Sequence, residues 1–307
     1  PLHKSDTSIC NIKILKGVSL MQKSKTRFWL FLFPALFFFC LVVIIPTIMG
    51  FYYAFTDWNG ISDRVKFTGW KNFQIIFRDP TFLHSFGFTA VFAFFAVILV
   101  NIVAFFLALL VTRKFPGATA LRGIFFMPNL IGGLLLGFTW QFIFTSIFSA
   151  IGEATGQKFL KGWLSTPETG FWGLLILTVW QLSGYMMIIY IAQLEQISDS
   201  VREAALMDGA NGRQMLVHII LPLMMPAFTI GLFMTISNSF KMFDQNLALT
   251  DGGPYRSTEM LALNIYQSAF AENHFGVAQA KAIIFLIVVA AIGITQLILT
   301  KRKEVEM

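Results

Sequence analysis

Cysteine, acidic groups inside the apolar runs and any nucleotide-gripping loop are what this 307-residue chain has least of. Its two cysteines fall in the leading tail (Cys10) and in the middle of the first apolar run (Cys40). A bridge between them would pull the tail into lipid, so two free thiols are expected. His3, His84, His218 and His274 are scattered, and no cysteine or histidine grouping has metal-ligand spacing, so no metal site is expected. No run of Lys and Arg exceeds three, which sets nucleic acid aside despite a net charge of +7. The pattern Gly-x-x-x-x-Gly-Lys-(Ser/Thr) is missing, so the chain has no phosphate loop of its own. Paired acids and a Ser-His set inside the apolar runs are missing too, so no catalytic residue is assigned and the chain is not read as an enzyme. None of the six apolar cores holds Asp or Glu. That weighs against the alternative reading, an ion-gradient-driven secondary transporter of small polar solutes.

What is present in excess is apolar. Hydrophobic residues make up 56% of the chain, charged residues 13%, and the mean hydropathy is +0.69. One water-soluble core cannot hide that much, so lipid must solvate it. The 35 phenylalanines suit lipid-facing or tightly packed helices. Nearly uncharged runs cover Phe28–Phe55, Phe82–Thr112, Gly123–Ile151, Gly170–Leu194, Met215–Phe240 and Ala282–Thr300. Each reaches about the 20 residues that a helix rising 1.5 Å per residue needs to cross hydrocarbon. None alternates like a barrel strand, and lipid admits only helices or closed barrels. The expected fold is therefore an all-α membrane protein with six transmembrane helices. The sixth can begin as early as Phe275, with Lys281 facing protein or water. Met21 precedes Lys23, Lys25 and Arg27 and reads as a start, with residues 1–20 an upstream extension. The run from Phe28 is too long for a signal core and reads as a retained anchor.

Lysine and arginine orient the bundle. Lys4, Lys13, Lys16, Lys23, Lys25 and Arg27 precede the first crossing, Arg113, Lys114 and Arg122 sit in the second connection, Arg202 and Arg213 in the fourth, and Lys301, Arg302 and Lys303 follow the last. Fewer basic residues, spread over longer loops, lie on the other side: Arg64, Lys66, Lys71, Arg78, Lys158, Lys161, Lys241 and Arg256. Both termini are thus expected in the cytoplasm, and loops 56–81, 152–169 and 241–276 outside. Three regions follow: a basic cytoplasmic tail 1–27, a six-helix domain 28–300 with a polar loop at 198–214, and a cytoplasmic tail 301–307. Pro34 and Pro46 interrupt the first crossing, Pro222 and Pro226 sit early in the fifth, and Gly132, Gly133 and Gly137 give the third a small-residue face.

The 198–214 loop carries the most information. Ser198 or Asp199 can cap a helix through Met207, while Gly209 and Gly212 can end it. Its face offers alanines beside Leu206 and Met207, a stiff knob suited to a partner's cleft. Glu203 and Asp208 can pair with basic groups there, or with Arg202 and Arg213 in the same chain. The ordered residues Glu203-Ala204-Ala205, Asp208-Gly209-Ala210 and Ile220-Leu221-Pro222 resemble the EAA loop of permease subunits of binding-protein-dependent ATP-binding cassette importers. Leu249-Thr250-Asp251-Gly252-Gly253-Pro254, Ser257-Thr258-Glu259 and Phe275-Gly276-Val277-Ala278 resemble the last outward loop of the maltose, glycerol-phosphate and multiple-sugar types, and Gly69-Trp70-Lys71-Asn72-Phe73 their first.

The resemblance implies the type I importer permease fold and a role as permease subunit, in a bacterial or archaeal cytoplasmic membrane. It implies a second permease, two ATPase subunits carrying ATP and Mg (no cofactor on this chain), an external solute-binding protein and a sugar or oligosaccharide cargo. Glu203, Ala204, Ala205, Leu206, Met207, Asp208, Gly209 and Ala210 would then contact an ATPase. By similarity to the maltose-type subunit, Thr178, Gln181, Leu182, Tyr185, Thr235 and Ser239 fall on sugar-contacting positions, Tyr185, Gln181 and Ser239 foremost. The string Gln181-Leu182-Ser183-Gly184-Tyr185 departs from the apolar-glycine-aromatic-proline string of that subunit. Lys241 and Asp244 are candidates for an outer gate, or a plain ion pair at the mouth.

Overall fold

The computed structural model describes residues 28–62, 64–113 and 115–302. Most of the two tails, 1–27 with Cys10 and 303–307, and Lys114 lie outside the described residues. The described residues form helices α1 (Phe28–Tyr53), α2 (Lys71–Ile76), α3 (Pro80–Val111), α4 (Ala118–Phe126), α5 (Gly133–Thr155), α6 (Pro167–Gln196), α7 (Asp199–Met207), α8 (Gly212–Leu223), α9 (Met225–Phe240), α10 (Asp244–Leu249), α11 (Leu261–Tyr266) and α12 (Phe275–Lys301). Among them the only β pairing is an isolated antiparallel bridge, Thr56 to Phe67. Five helices are long and apolar enough to cross a membrane, and α8 with α9 forms a sixth span bent by 66°. The expected all-α, six-span architecture is what the chain adopts.

Local chemistry sets the ends. Asp79 accepts a hydrogen bond from the Thr81 N–H at 2.9 Å, with Pro80 at the first helical position, and so starts α3 two residues ahead of the apolar run. A capping box between Thr166 and Thr169, again with proline following, starts α6 at Pro167. α12 does begin at Phe275, and Lys281 is buried within it at 3% exposure.

Two apolar runs depart from single straight helices. The third crossing is broken: α4 ends at Phe126, a 3-10 turn covers Met127–Leu130, Ile131 is extended, and α5 starts afresh at Gly133. Pro128 lacks an N–H and the glycines that follow weaken helix, which breaks a run that hydropathy alone shows as continuous. The first crossing, by contrast, is continuous through Pro34 and Pro46. A π-helical turn at Cys40–Ile44 absorbs Pro46, and Thr47 donates to the Val43 carbonyl at 2.6 Å. Another π turn, Met215–Ile220, ends two residues before Pro222.

α3 and α6 form the centre. α3 is apolar along most of its surface, and its buried face carries a run of small residues, Ala93, Ala96, Val100, Ala104 and Ala108, flanked by Phe92 and Phe105. In lipid, helices gain little by hiding greasy surface from one another, so backbones must come close for dispersion to bind them. α4 then crosses α6 at Gly184, where a Cβ would stand 1.7 Å from the Phe125 carbonyl oxygen. The short helix α10 seats on α5 the same way. A Cβ at Gly133 would stand 2.7 Å from the Asp244 Cβ, and one at Gly137 2.5 Å from the Ala248 Cβ. Gly132 faces open space and does not belong to that contact.

At the end of the bundle away from α7, polar groups knit the loops. Asn72, from the Gly69–Phe73 segment, donates to the carbonyls of Ala54 and Thr56, both at 2.8 Å. Glu259 is fully buried and bonded to Arg256, Asn264 and Ser85. Lys281 reaches Asp79 at 3.1 Å, Asn264 at 2.9 Å and Ser268 at 2.8 Å. Burial alone would raise the Asp79 carboxyl, but the Lys281 ammonium and the N–H groups of Thr81 and Phe82 outweigh it and hold it below its ordinary value.

Two outcomes follow. Gly184→Ala should lower thermal stability in detergent by about 1–3 kcal/mol, as overpacking does. Gly123→Ala, with nothing near its Cβ, should leave it unchanged or slightly raised. The Asp79 carboxyl, depressed in the folded state, contributes stability that is present above about pH 4 and lost as pH falls through its folded value. Asp79→Asn should therefore flatten the acid limb of the melting-temperature curve in that window and lower the plateau above it.

Candidate functional site

The 198–214 segment forms a knob at one end of the bundle. α7 closes on a Schellman turn: the Gly209 N–H bonds the Leu206 carbonyl at 3.0 Å and the Ala210 N–H bonds the Ala205 carbonyl at 2.9 Å. Gly209 adopts φ 78°, in the left-handed region open to glycine. Asn211 and Gln214 then form a reciprocal capping box that starts α8. Gly212 thus opens the next helix rather than ending α7, because the side-chain acceptor is Asn211. Ser198 is the N-cap of α7 by backbone conformation, but its hydroxyl bonds Ser200 instead of the helix.

Ala205 alone of the knob is buried, and it anchors α7. Leu206 is 62% exposed and Met207 88% exposed, beside exposed Glu203, Ala204, Asp208 and Gly209 and a half-buried Ala210. Glu203 and Asp208 pair with neither Arg202 nor Arg213 among the described residues: Arg202 instead donates to the Leu194 carbonyl at 3.0 Å. Two apolar side chains and two carboxylates are therefore exposed, and the carboxylates have no ion-pair partner among the described residues. The connection to the spans is direct. Gln193 of α6 donates to the Leu223 carbonyl at 3.0 Å, at the bend between α8 and α9.

The six residues assigned to the path cluster on α6 and α9 but differ in availability. Thr178 donates to the Leu174 carbonyl at 2.7 Å, and Thr235 to the Gly231 carbonyl at 2.7 Å. Leu182 packs in the core with Met186 and Tyr190. Gln181 accepts from Gln245 at 2.9 Å, which ties α6 to α10. Tyr185 is half-buried. Ser239 is fully buried, and its hydroxyl lacks a hydrogen-bond partner. Lys241 and Asp244 are exposed and form no ion pair with each other, because Asp244 lies at the start of α10 against Gly133.

Two features escape inspection of the residues. Asn101 of α3 receives the Tyr190 hydroxyl and donates to Thr235 at 3.2 Å, which joins α3, α6 and α9 in the apolar interior. A lone amide in an apolar run is a visible signal, since it must find a partner in lipid; Tyr190 carries none. Gln245 lies just past the fifth run, and only the return of α10 against the bundle brings it to Gln181.

A chain with six apolar spans, one of them sharply bent, and a stiff polar knob between the fourth and the fifth has the architecture of a permease subunit. A family model described as binding-protein-dependent transport system inner membrane component matches residues 101–305, and the chain belongs to that family. It is 51% identical over 285 residues, 93% of this chain and 97% of the relative, to a probable starch degradation products transport system permease protein, AmyD, of Thermoanaerobacterium thermosulfurigenes. It is 31% identical over 278 residues, 90% of this chain and 96% of the relative, to the multiple sugar-binding transport system permease protein MsmF of Streptococcus mutans. The fold matches a bacterial ABC transporter involved in the import of the acidic polysaccharide alginate, with a TM-score of 0.79 at 20% identity over 92% of this chain and 98% of that one. The chain is therefore a multi-pass membrane subunit of an ATP-driven importer, with the type I permease fold, and not itself an ATPase. A secondary transporter is set aside. Among the described residues no group of His, Cys, Asp and Glu could hold a metal.

If Gln245 braces Gln181, then Gln245→Leu should lower thermal stability by about 0.6–2 kcal/mol, the worth of one interhelical hydrogen bond in a membrane protein. Gln181→Leu in the same background should cost little more. A double-mutant cycle in detergent measures it.

Proposed function

We propose that this chain pairs with a second permease to form the path for a sugar or oligosaccharide in the cytoplasmic membrane of a bacterium or archaeon. Its termini and α7 face the cytoplasm, and an external solute-binding protein delivers the cargo to the other side. Relatives named for starch products and multiple sugars support the cargo class. A related solved transporter in complex with an alginate pentasaccharide-bound periplasmic protein supports the external partner. Two ATPase subunits carry ATP and Mg, and one of them grips Glu203–Ala210.

The observation that carries this reading is the knob itself. A short helix closed at its C-terminal end by a Schellman turn and exposing Leu206 and Met207 is built to be held. ATP draws the two ATPases together, and they move α7. Because α7 follows α6 directly and Gln193 holds the bend after α8, α6 and α9 move with it. Nucleotide shifts the inward–outward equilibrium only by binding the two states with different free energies. On the path, Gln181, Tyr185 and Ser239 provide an amide, an aromatic face with a hydroxyl, and an unpaired hydroxyl, a set suited to a polyol. Thr178, Leu182 and Thr235 stand behind them. Lys241 and Asp244, free of each other, flank the mouth.

Glu203→Lys and Met207→Asp should leave membrane insertion intact but abolish co-purification of the ATPase and substrate-stimulated ATP hydrolysis. Normal uptake by both variants would overturn the assignment of α7. Tyr185→Ala and Ser239→Leu should cut uptake at least tenfold, a loss of about 1.4 kcal/mol, with the complex still assembled; unchanged dependence of uptake on sugar concentration would dismiss that part of the path.

A further inference from the structure

Beside α7 lies a cavity of about 360 Å3 walled by the ends of α3 and α6, by α4 and by the start of α7. Arg113, Arg122 and Arg202 all line it. Arg122 spends its terminal nitrogen on Glu195 at 3.0 Å and the Val111 carbonyl at 3.2 Å. Arg202 spends one on the Leu194 carbonyl. The Nε–H of both guanidinium groups is shut off from solvent and has no acceptor among the described residues. Buried N–H groups of a cation are costly to leave unmade, and an oxygen-rich anion is the chemistry that satisfies such groups. Its own carboxylates, Glu195 and Asp199, are fewer than its three guanidinium groups, and Arg113 forms no ion pair among the described residues.

A second cavity lies deeper in the hydrocarbon region. It is a groove of about 440 Å3 between the same three spans, with walls of Leu99, Val103, Leu107, Phe125, Val179 and Trp172. On α3 the stripe Leu99, Val103, Leu107 repeats every four residues, and its next member, Val111, lines the arginine cavity. Leu107 and Val111 are about 6 Å apart along the helix, so the oily groove leads towards the cations. An acidic side chain of a partner, or a free phosphate, would satisfy the arginines but leave the groove unexplained.

We infer that the two cavities form one site for an anionic phospholipid, with its phosphate on Arg113, Arg122 and Arg202 and an acyl chain along α3 in the groove. The lipid comes from the leaflet on the α7 side, the cytoplasmic one if the orientation proposed above holds; the binding itself does not depend on that. Bound there, it stiffens the joint between α6 and α7.

The test is native mass spectrometry of the full chain in neutral detergent, titrated with phosphatidylglycerol, phosphatidylcholine or inorganic phosphate. One phosphatidylglycerol should bind more tightly than phosphatidylcholine. Its affinity should fall about fivefold for each arginine removed in Arg113→Gln and Arg202→Gln. Arg113 is exposed, so its variant folds even if the other does not. Val103→Trp should weaken binding with the arginines untouched. Equal binding of the two lipids, indifference to Arg113→Gln, or complete displacement by inorganic phosphate overturns the proposal. Glu203→Lys should leave the lipid adduct intact, so a chain that keeps the adduct but fails to bind an ATPase refutes the functional reading and not this site.

Discussion

Close backbone approach between α3 and α6 is the contact on which the rest of the bundle is hung. In hydrocarbon the usual reward for bringing two greasy helices together vanishes, because lipid tails are as apolar as leucine. What remains is dispersion at short range and hydrogen bonding between groups that have no water to turn to. The alanine stripe of α3 supplies the first. The bonds among Asn101, Tyr190 and Thr235 supply the second at the same interface. α4 is keyed on at Gly184, α9 joins through Thr235 and Gly231, and α12 closes against α9. α1 lies outermost, and its most apolar stretch has no buried residue.

The two ends of the molecule solve different problems. The end with Glu259, Arg256, Lys281 and Asp79 is sealed by buried charge. Such networks gain little net stability but are expensive to half-break, and so they fix one arrangement of loops. The α7 end does the opposite: among the described residues Glu203 and Asp208 form no ion pair, and Leu206 and Met207 are exposed. The contrast is what a part meant to be gripped should show, because a group already satisfied internally has nothing to offer a neighbour. Between the ends, α8 and α9 meet at a 66° bend around Met224, while α6 runs as one continuous helix beside it. The proposed lipid would act at the other joint, between α6 and α7.

Much of the fold was legible in the residues. Hydropathy located every crossing, because a span is defined by a solvent that punishes charge. The knob was legible too, since Gly209 and the ordered acids and alanines around it are local chemistry. Inspection erred where a residue's effect depends on what faces it. Pro128 breaks its span while Pro46, just after a π turn, does not, and the glycines beside Pro128 free the chain to leave the helix there. Gly132 was grouped with Gly133 and Gly137, but only the latter two meet α10.

Composition and spacing thus settled that the chain lives in lipid and how often it crosses, because each follows from single residues meeting a uniform solvent. Which polar groups are spent inside and which stay available was decided by packing. Thr178 and Thr235 turned to their own backbones, Gln181 was taken by Gln245, and Ser239 was left unpaired. Those allocations join residues far apart in the chain, and a hydrogen bond in hydrocarbon depends on which helices become neighbours, information that no local stretch carries.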